Sequence, residues 1–98
     1  MTKADIVNEI AKSTGAEKVL VQTIVEAFMD NVRNSLIENK HVYLRGFGRF
    51  NLKKRAAKTA RNITKKETLI VPEHFIPAFK ACPEFLNMVA DLKELKKD

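Results

Sequence analysis

The chain has 98 residues, of which 45% are hydrophobic, so it is one small folded domain and not a disordered basic tail. Its 18 Lys and Arg residues outnumber 12 Asp and Glu residues, and the formal net charge of +6 points to a polyanionic partner. The single cysteine, Cys82, excludes an intrachain disulfide, and no apolar run approaches membrane-spanning length. We therefore expect a soluble, cytoplasmic protein with no membrane association.

The positive charge is concentrated in one segment, residues 45–66 (RGFGRFNLKKRAAKTARNITKK). This segment holds nine of the 18 basic residues and none of the 12 acidic ones. The rest of the chain, with nine bases and 12 acids, has a formal charge of −3. Such a local block is typical of a binding surface for a polyanion, whereas a solvated charged loop normally contains compensating acids.

Catalysis finds no support in the residue pattern. The sequence has no nucleophile beside a base, no paired carboxylates in an apolar setting and no glycine loop for phosphate. His41 and His74 have no second metal ligand nearby, and Cys82 is better explained by packing at a helix start than by a redox role. We expect no enzymatic activity, no cofactor, no metal site and no small-molecule substrate.

Two helices are predicted in the first 40 residues. Thr2 is a suitable N-cap for a first helix ending near Thr14, since Gly15 follows. Apolar residues spaced by three and four then predict a second helix from residues 16–18 to about Asn39. Its apolar stripe, widened by Leu20, is broad enough to pack on more than one side, which favours both the first helix and another subunit.

The middle of the chain predicts a hairpin and a ribbon. Residues 41–45 and 49–52 alternate in type like strands, and Gly46-Phe47-Gly48 between them predicts a tight turn in which the glycines adopt backbone angles closed to other residues. Residues 68–71 predict another strand that Pro72 ends. The chain between Leu52 and Thr68 can therefore extend outward and return as a ribbon reaching about 30 Å.

The last part of the chain predicts a third helix. Residues 75–79 return the chain to the body with apolar anchors, and Pro83 is well placed as the first helical residue. Apolar residues then recur at helical spacing as far as Leu95. If the ribbon projects into solvent, about 70 residues remain for a core, which is marginal for a monomer. A core shared with a second copy would solve this problem.

Three separated motifs resemble one known family. Residues 46–50 (GFGRF), 55–62 (RAAKTARN) and 76–80 (IPAFK), in this order and spacing, resemble the bacterial histone-like DNA-binding proteins HU and integration host factor, and HU more closely. The resemblance covers essentially the full chain. It implies an α+β fold in an intertwined dimer, with a helical base, a three-stranded antiparallel sheet, a long β-ribbon arm and a C-terminal helix.

The resemblance also implies a division of the chain and a set of DNA contacts. Residues 1–40 would dimerise, residues 41–80 would form the sheet and DNA-binding arm, and residues 81–98 would form the C-terminal helix of a single domain. The residues that match DNA-contacting positions, or share the arm with them, are Lys3, Lys53, Lys54, Arg55, Lys58, Arg61, Asn62, Ile63, Lys65, Lys66 and Lys80. Lys3 and Lys80 would touch flanking phosphates from the body.

The tip of the arm departs from the family's pattern. Ile63 stands where the family usually has a proline that wedges between base pairs, and Ala60 replaces the usual glycine before Arg61. Isoleucine can also act as such a wedge, although an incidental exposed side chain is the alternative. A ribbon fits the major groove more easily than the narrow minor groove, so the minor-groove expectation rests on the resemblance.

The sequence thus predicts a dimeric nucleoid protein that binds double-stranded DNA with little sequence preference and bends or compacts it. One alternative is a site-specific bender of the integration-host-factor kind. Another is a dimeric scaffold whose arm binds RNA or an acidic protein. A homodimer is expected, with pairing to a paralogue as the other option.

Overall fold

The computed structural model describes the backbone of residues 1–62 and 67–92 and the side chains of residues 1–59 and 70–92. In chain order the elements are α1 (Lys3–Thr14), α2 (Lys18–Ile37), β1 (Val42–Leu44), β2 (Gly48–Arg55), β3 (Lys58–Asn62), β4 (Glu67–Val71), β5 (His74–Ala81) and α3 (Pro83–Val89). The predicted α+β class, its three helices and its antiparallel sheet are confirmed.

Local capping sets the ends of the first helix. The backbone N–H of Thr2 donates to Asp5 Oδ2 at 3.0 Å while that of Asp5 donates to Thr2 Oγ1 at 3.3 Å, a reciprocal capping box. At the other end Gly15 adopts φ 74°, and its N–H donates to the Ala11 carbonyl at 3.0 Å. Both ends therefore agree with the sequence prediction.

Helix α2 ends two residues earlier than predicted. The chain leaves the helix after Ile37, and Asn39 takes φ 62°, a left-handed conformation that asparagine tolerates better than most residues. Asn39 thus belongs to the turn that sends the chain into the sheet.

The five strands form two separate sheets. In the three-stranded body sheet the order is β1-β2-β5, and all pairs are antiparallel. Strands β3 and β4 form a two-stranded ribbon, the arm. The sequence predicts that β2 ends at Leu52, but it continues to Arg55, because β5 pairs with it as far as His74. The ladder gives polar residues 53–55 a partner that apolar alternation alone does not predict.

Helix α3 begins at Pro83 as expected, but it is shorter than the predicted helix. It ends at Val89, where a turn closed by the Ala90 N–H and the Asn87 carbonyl follows. The predicted continuation past Leu92 lies outside the described residues.

The buried apolar core of the described chain is small. Only Val7, Val21 and Leu36 are buried hydrophobic residues there, and all three lie on α1 and α2. The radius of gyration is 18.6 Å, whereas a compact domain of about 100 residues has about 13 Å. The chain by itself is therefore too extended to enclose its own apolar surface.

Aromatic packing joins the body sheet to α3. The ring of Phe79 lies between Phe47 and Phe50, with ring centroids 5.0 and 4.9 Å apart, and Phe47 stacks on Phe85 at 5.5 Å. Phe47 and Phe79 nevertheless remain 44% and 42% exposed. These rings are core residues, as the sequence predicts, but a single chain leaves this part of the core partly exposed to solvent.

Candidate nucleic-acid interface

The body sheet has one apolar face and one basic face. Pairing places Phe50 opposite Phe79 and Leu52 opposite Pro77 on the apolar face. Arg49, Lys53 and Arg55 have the other parity on β2, so they point to the opposite face. This basic face leads along β2 from the body towards the arm.

Arg49 is a basic-face residue that the predicted set of DNA contacts omits. The sequence pattern assigns it to the hairpin that ties the arm to the core. Arg49 precedes Lys53 by four residues and Arg55 by six, and residues at even spacings lie on the same face of a strand. The sequence prediction did not group these three residues because it ended β2 at Leu52.

Lys54 lies on the other face from Lys53 and carries its own counter-ion. Its Nζ is 3.2 Å from Glu73 Oε1, and both side chains are more than half exposed. Phosphate would have to compete with this carboxylate for Lys54. The three consecutive bases 53–55 are therefore not equivalent, a distinction that only the pairing of β2 with β5 reveals.

The ladder is interrupted between the body and the arm. The body sheet ends with Arg55 opposite His74, and the arm begins with Lys58 opposite Val71. Ala56 lies in the gap on the outgoing strand, and Pro72, which has no N–H to donate, lies in it on the returning strand. The predicted ribbon thus consists of two paired segments in succession, the outer part of β2 with β5 and then β3 with β4.

The described part of the arm carries three of the predicted contact residues. Lys58, Arg61 and Asn62 lie on β3, where they pair with Val71, Thr68 and Glu67, and the Lys58 side chain is exposed. Ile63, Lys65 and Lys66 lie outside the described residues, so their roles stay predictions.

The two body residues of the predicted site lie in different surroundings. Lys3 is the first residue of α1, and its Nζ is 3.2 Å from Glu26 Oε2. Lys80 lies on β5 directly opposite Arg49, on the basic face. The structure therefore joins Lys80 to the basic strand and gives Lys3 a carboxylate partner on α2.

Within the ranges that the structure describes, no group of three or more His, Cys, Asp and Glu residues is arranged to hold a metal ion. None of the described helices is both long enough and apolar enough to cross a membrane.

A protein-family model described as "Bacterial DNA-binding protein" matches residues 1–90 of the chain. The chain belongs to this family. DNA-binding protein HU of Thermus thermophilus is 39% identical over 80 residues, which cover 82% of each chain. DNA-binding protein HU of Staphylococcus aureus is 35% identical over 81 residues, which cover 83% of this chain and 90% of the relative. The family resemblance inferred from the three sequence motifs is confirmed.

A solved structure agrees with the family assignment. The chain is similar to HU in the Anabaena HU–DNA cocrystal structure, with a TM-score of 0.85 and 27% identity, over 94% of this chain and 100% of that one. The helical base, the body sheet and the arm are thus the fold of the HU family. The function that goes with it is architectural DNA binding.

Proposed function

We propose that this HU-family chain forms a homodimer whose two arms bind duplex DNA with little sequence preference and bend it. The observation that carries the proposal is the basic face that runs from Arg49 through Lys53 and Arg55 towards the arm. None of the residues described on this face of β2 is acidic. In addition, the Anabaena relative was crystallised with DNA.

Dimerisation follows from apolar surface that one chain leaves uncovered. On α2, Leu20, Ile24 and Phe28 recur every four residues and are all about half exposed, whereas Val21, the residue after Leu20, is buried. On the body sheet, Phe75 and Phe79 are exposed as well. Burying apolar surface is the main favourable term in association, so a second copy that covers both surfaces completes the core.

In this proposal successive parts of the chain have different roles. Residues 1–40 provide the dimer base, residues 41–80 provide the sheet and arm, and residues 81–98 provide the C-terminal helix. Two arms then emerge from one body and hold the duplex at two places. A polyanion held there through its phosphates meets more of the basic surface when it bends towards the body, which repays the cost of deformation.

The site residues act mainly through phosphate. Lys53, Lys54 and Arg55 supply charge from β2, together with Lys58, Arg61, Lys65 and Lys66 further along the chain. Lys3 and Lys80 reach flanking phosphates, and Asn62 and Ile63 act at the tip, where Ile63 serves as the wedge in the minor groove. Binding to phosphate carries no sequence information, which accounts for the low specificity.

A salt titration tests the proposal. If about 6 to 10 phosphates are engaged, the association constant for a random duplex falls by about 10³ to 10⁵ between about 50 and 200 mM salt. A weak salt dependence would overturn the phosphate mechanism. The titration should be run on the full chain, with dimer formation monitored in the same buffer.

Competition separates the alternatives. A site-specific bender would prefer one duplex over random DNA by a factor of about 10³ or more. An arm built for RNA or an acidic protein would keep that ligand in the presence of excess random duplex. We expect excess random duplex to displace a duplex of any chosen sequence, and to displace RNA or an acidic protein as well. We also propose that the protein resides on the nucleoid.

A further inference from the structure

His74 occupies the last rung of the body sheet before the arm. It begins β5 and pairs with Arg55, which ends β2, and the ladder is interrupted beyond this pair. Residues directly opposite each other in an antiparallel sheet lie on the same face. His74 therefore shares the basic face with Arg55, at the end of that face nearest the arm, and the histidine is exposed.

The charged groups that face His74 across the sheet are cations. The strand paired with β5 is β2, on which Arg55 lies directly opposite His74 and Lys53 lies diagonally across from it. The neighbouring carboxylate, that of Glu73, has its Oε1 3.2 Å from the Nζ of Lys54, which points to the other face. Among the described residues, no carboxylate pairs with Lys53 or Arg55.

The Pro72 carbonyl determines which ring nitrogen of His74 carries the hydrogen. His74 Nδ1 lies 2.9 Å from the Pro72 carbonyl oxygen. A carbonyl oxygen only accepts hydrogen bonds, so Nδ1 is the donor in this contact. A neutral imidazole has one donor and one acceptor nitrogen, which leaves Nε2 as the acceptor. In the part of the chain that the structure describes, Nε2 has no hydrogen-bond partner.

This tautomer makes phosphate binding by His74 conditional on a proton. A phosphate oxygen is itself an acceptor, so the lone pair on Nε2 of the neutral ring repels it. Protonation turns Nε2 into a donor on a positively charged ring, and charged donors form short, strong hydrogen bonds with phosphate. Histidine is the side chain that changes charge between about pH 5 and 8. A phosphate between His74 and Arg55 also removes the repulsion between two cations at directly opposed positions.

We propose that His74 is a proton-dependent contact for the DNA backbone, in which Nε2 of the imidazolium donates to a duplex phosphate at the base of the arm and Arg55 binds the same phosphate. This inference rests on the proposed function and adds to it a dependence on pH. Each contact takes up one proton from the solvent, so the association constant falls as the pH rises. The lysine and arginine side chains keep their charge over this range and hold the duplex at either pH.

Duplex binding measured at two pH values tests the contact. For each contact made, we expect the association constant of the parent chain for a random duplex to be about tenfold higher at about pH 5.5 than at about pH 7.5, because a charge-assisted hydrogen bond is gained. The salt slope should also be steeper at the lower pH, by about 1 for each additional phosphate neutralised, or about 2 per dimer.

Three variants assign the effect to His74. His74→Gln keeps a polar side chain but cannot become a cation, so the difference between the two pH values should disappear. His74→Lys places a permanent cation at the same position, so binding should be equally tight at both pH values. His41→Gln removes the other of the two histidines, which precedes β1, and should behave like the parent. Both histidines are exposed, so these substitutions leave the buried core unchanged.

The tautomer has a test of its own. Nuclear magnetic resonance of the ring nitrogens in the free parent chain shows which nitrogen of a neutral imidazole carries the hydrogen. At about pH 8, where histidine is neutral, we expect the hydrogen of His74 on Nδ1. A hydrogen on Nε2 would contradict the proposal, because the neutral ring could then donate to phosphate without a proton.

The outcomes separate this inference from the proposed function. If the parent chain shows no salt-dependent duplex binding at either pH, the proposed function fails. If the parent binds but its affinity does not change with pH, or His74→Gln keeps the pH dependence of the parent, the His74 contact is overturned and the function stands. If inorganic phosphate shifts the titration of the His74 ring as far as an equal concentration of duplex phosphate does, the group binds any phosphate and its assignment to the DNA backbone is overturned.

Discussion

Lys3 Nζ lies 3.2 Å from Glu26 Oε2, so an ion pair joins the first residue of α1 to the middle of α2. The two side chains are 49% and 41% exposed, and exposed pairs contribute only about 0.2–1 kcal/mol to stability. This ion pair matters more for DNA binding than for stability. A predicted DNA-binding residue already has an anionic partner, and phosphate must displace that partner.

Releasing Lys3 should strengthen DNA binding. We expect Glu26→Gln to raise the affinity for random duplex at low salt, because the freed ammonium no longer exchanges one anion for another. The free energy of unfolding should change by less than about 1 kcal/mol. Fluorescence titration and thermal unfolding measure the two effects. Glu38→Gln is the matched control, since it releases Lys40 from an ion pair of the same length. Equal gains from both variants would show that only net charge matters.

The exposed stripe of α2 should be essential for the dimer. Placing a charge there with Phe28→Asp would bury an unpaired carboxylate against the second copy, and we expect the dimer to dissociate. Sedimentation would detect monomer, and the melting temperature of the parent, unlike that of the variant, should rise with protein concentration. Val19→Asp, an exposed apolar site off this stripe, is the control. A Phe28→Asp protein that stays dimeric would exclude this surface from the interface.

The two glycines of the body turn have different physical roles. Gly46 has φ 80° and open space around it, whereas a Cβ on Gly48 would lie 2.5 Å from the Lys80 carbonyl oxygen. We expect Gly46→Ala to cost about 1–2 kcal/mol through backbone strain and Gly48→Ala about 1–3 kcal/mol through overpacking.

Asparagine distinguishes these two causes in chemical unfolding experiments. Gly46→Asn should be milder than Gly46→Ala, because asparagine tolerates positive φ. Gly48→Asn should be worse than Gly48→Ala, because a larger side chain meets the same carbonyl. The opposite order at either position would contradict the assignment.

Ile63, the proposed wedge, should control the bend angle. Ile63→Ala removes most of the apolar side chain that would insert between base pairs, so we expect a smaller bend with phosphate binding retained. Fluorescence energy transfer between the ends of a duplex reports the bend, and the salt slope reports the number of phosphates bound. A bend equal to that of the parent would show that Ile63 is not the wedge.

Much of the local structure could be predicted because its causes are local. Thr2 with Asp5 sets the start of α1, Gly15 sets its end, and Pro83 starts α3, since caps and fixed φ angles act within a few residues. The segment of dense charge likewise predicts a binding arm without any coordinates.

Pairing between strands that are distant in the sequence determined features that local sequence patterns could not predict. The turn motif predicts an unusual backbone angle at Gly48, but its φ is not positive, and the close approach of β5 is what requires glycine there. The extension of β2 beyond Leu52 also separated two adjacent bases, because it placed Lys53 on the basic face and Lys54 on the other, where Lys54 Nζ lies 3.2 Å from Glu73 Oε1.

The sequence by itself determined the family, the helix boundaries set by capping, and the sign and position of the charge. Only the tertiary structure decided that Arg49 joins Lys80 in one row and that Lys3 is paired with Glu26. The physical reason is distance along the chain. These partners are more than 20 residues apart in the sequence, and no short-range pattern specifies which distant strand or helix face a side chain will meet.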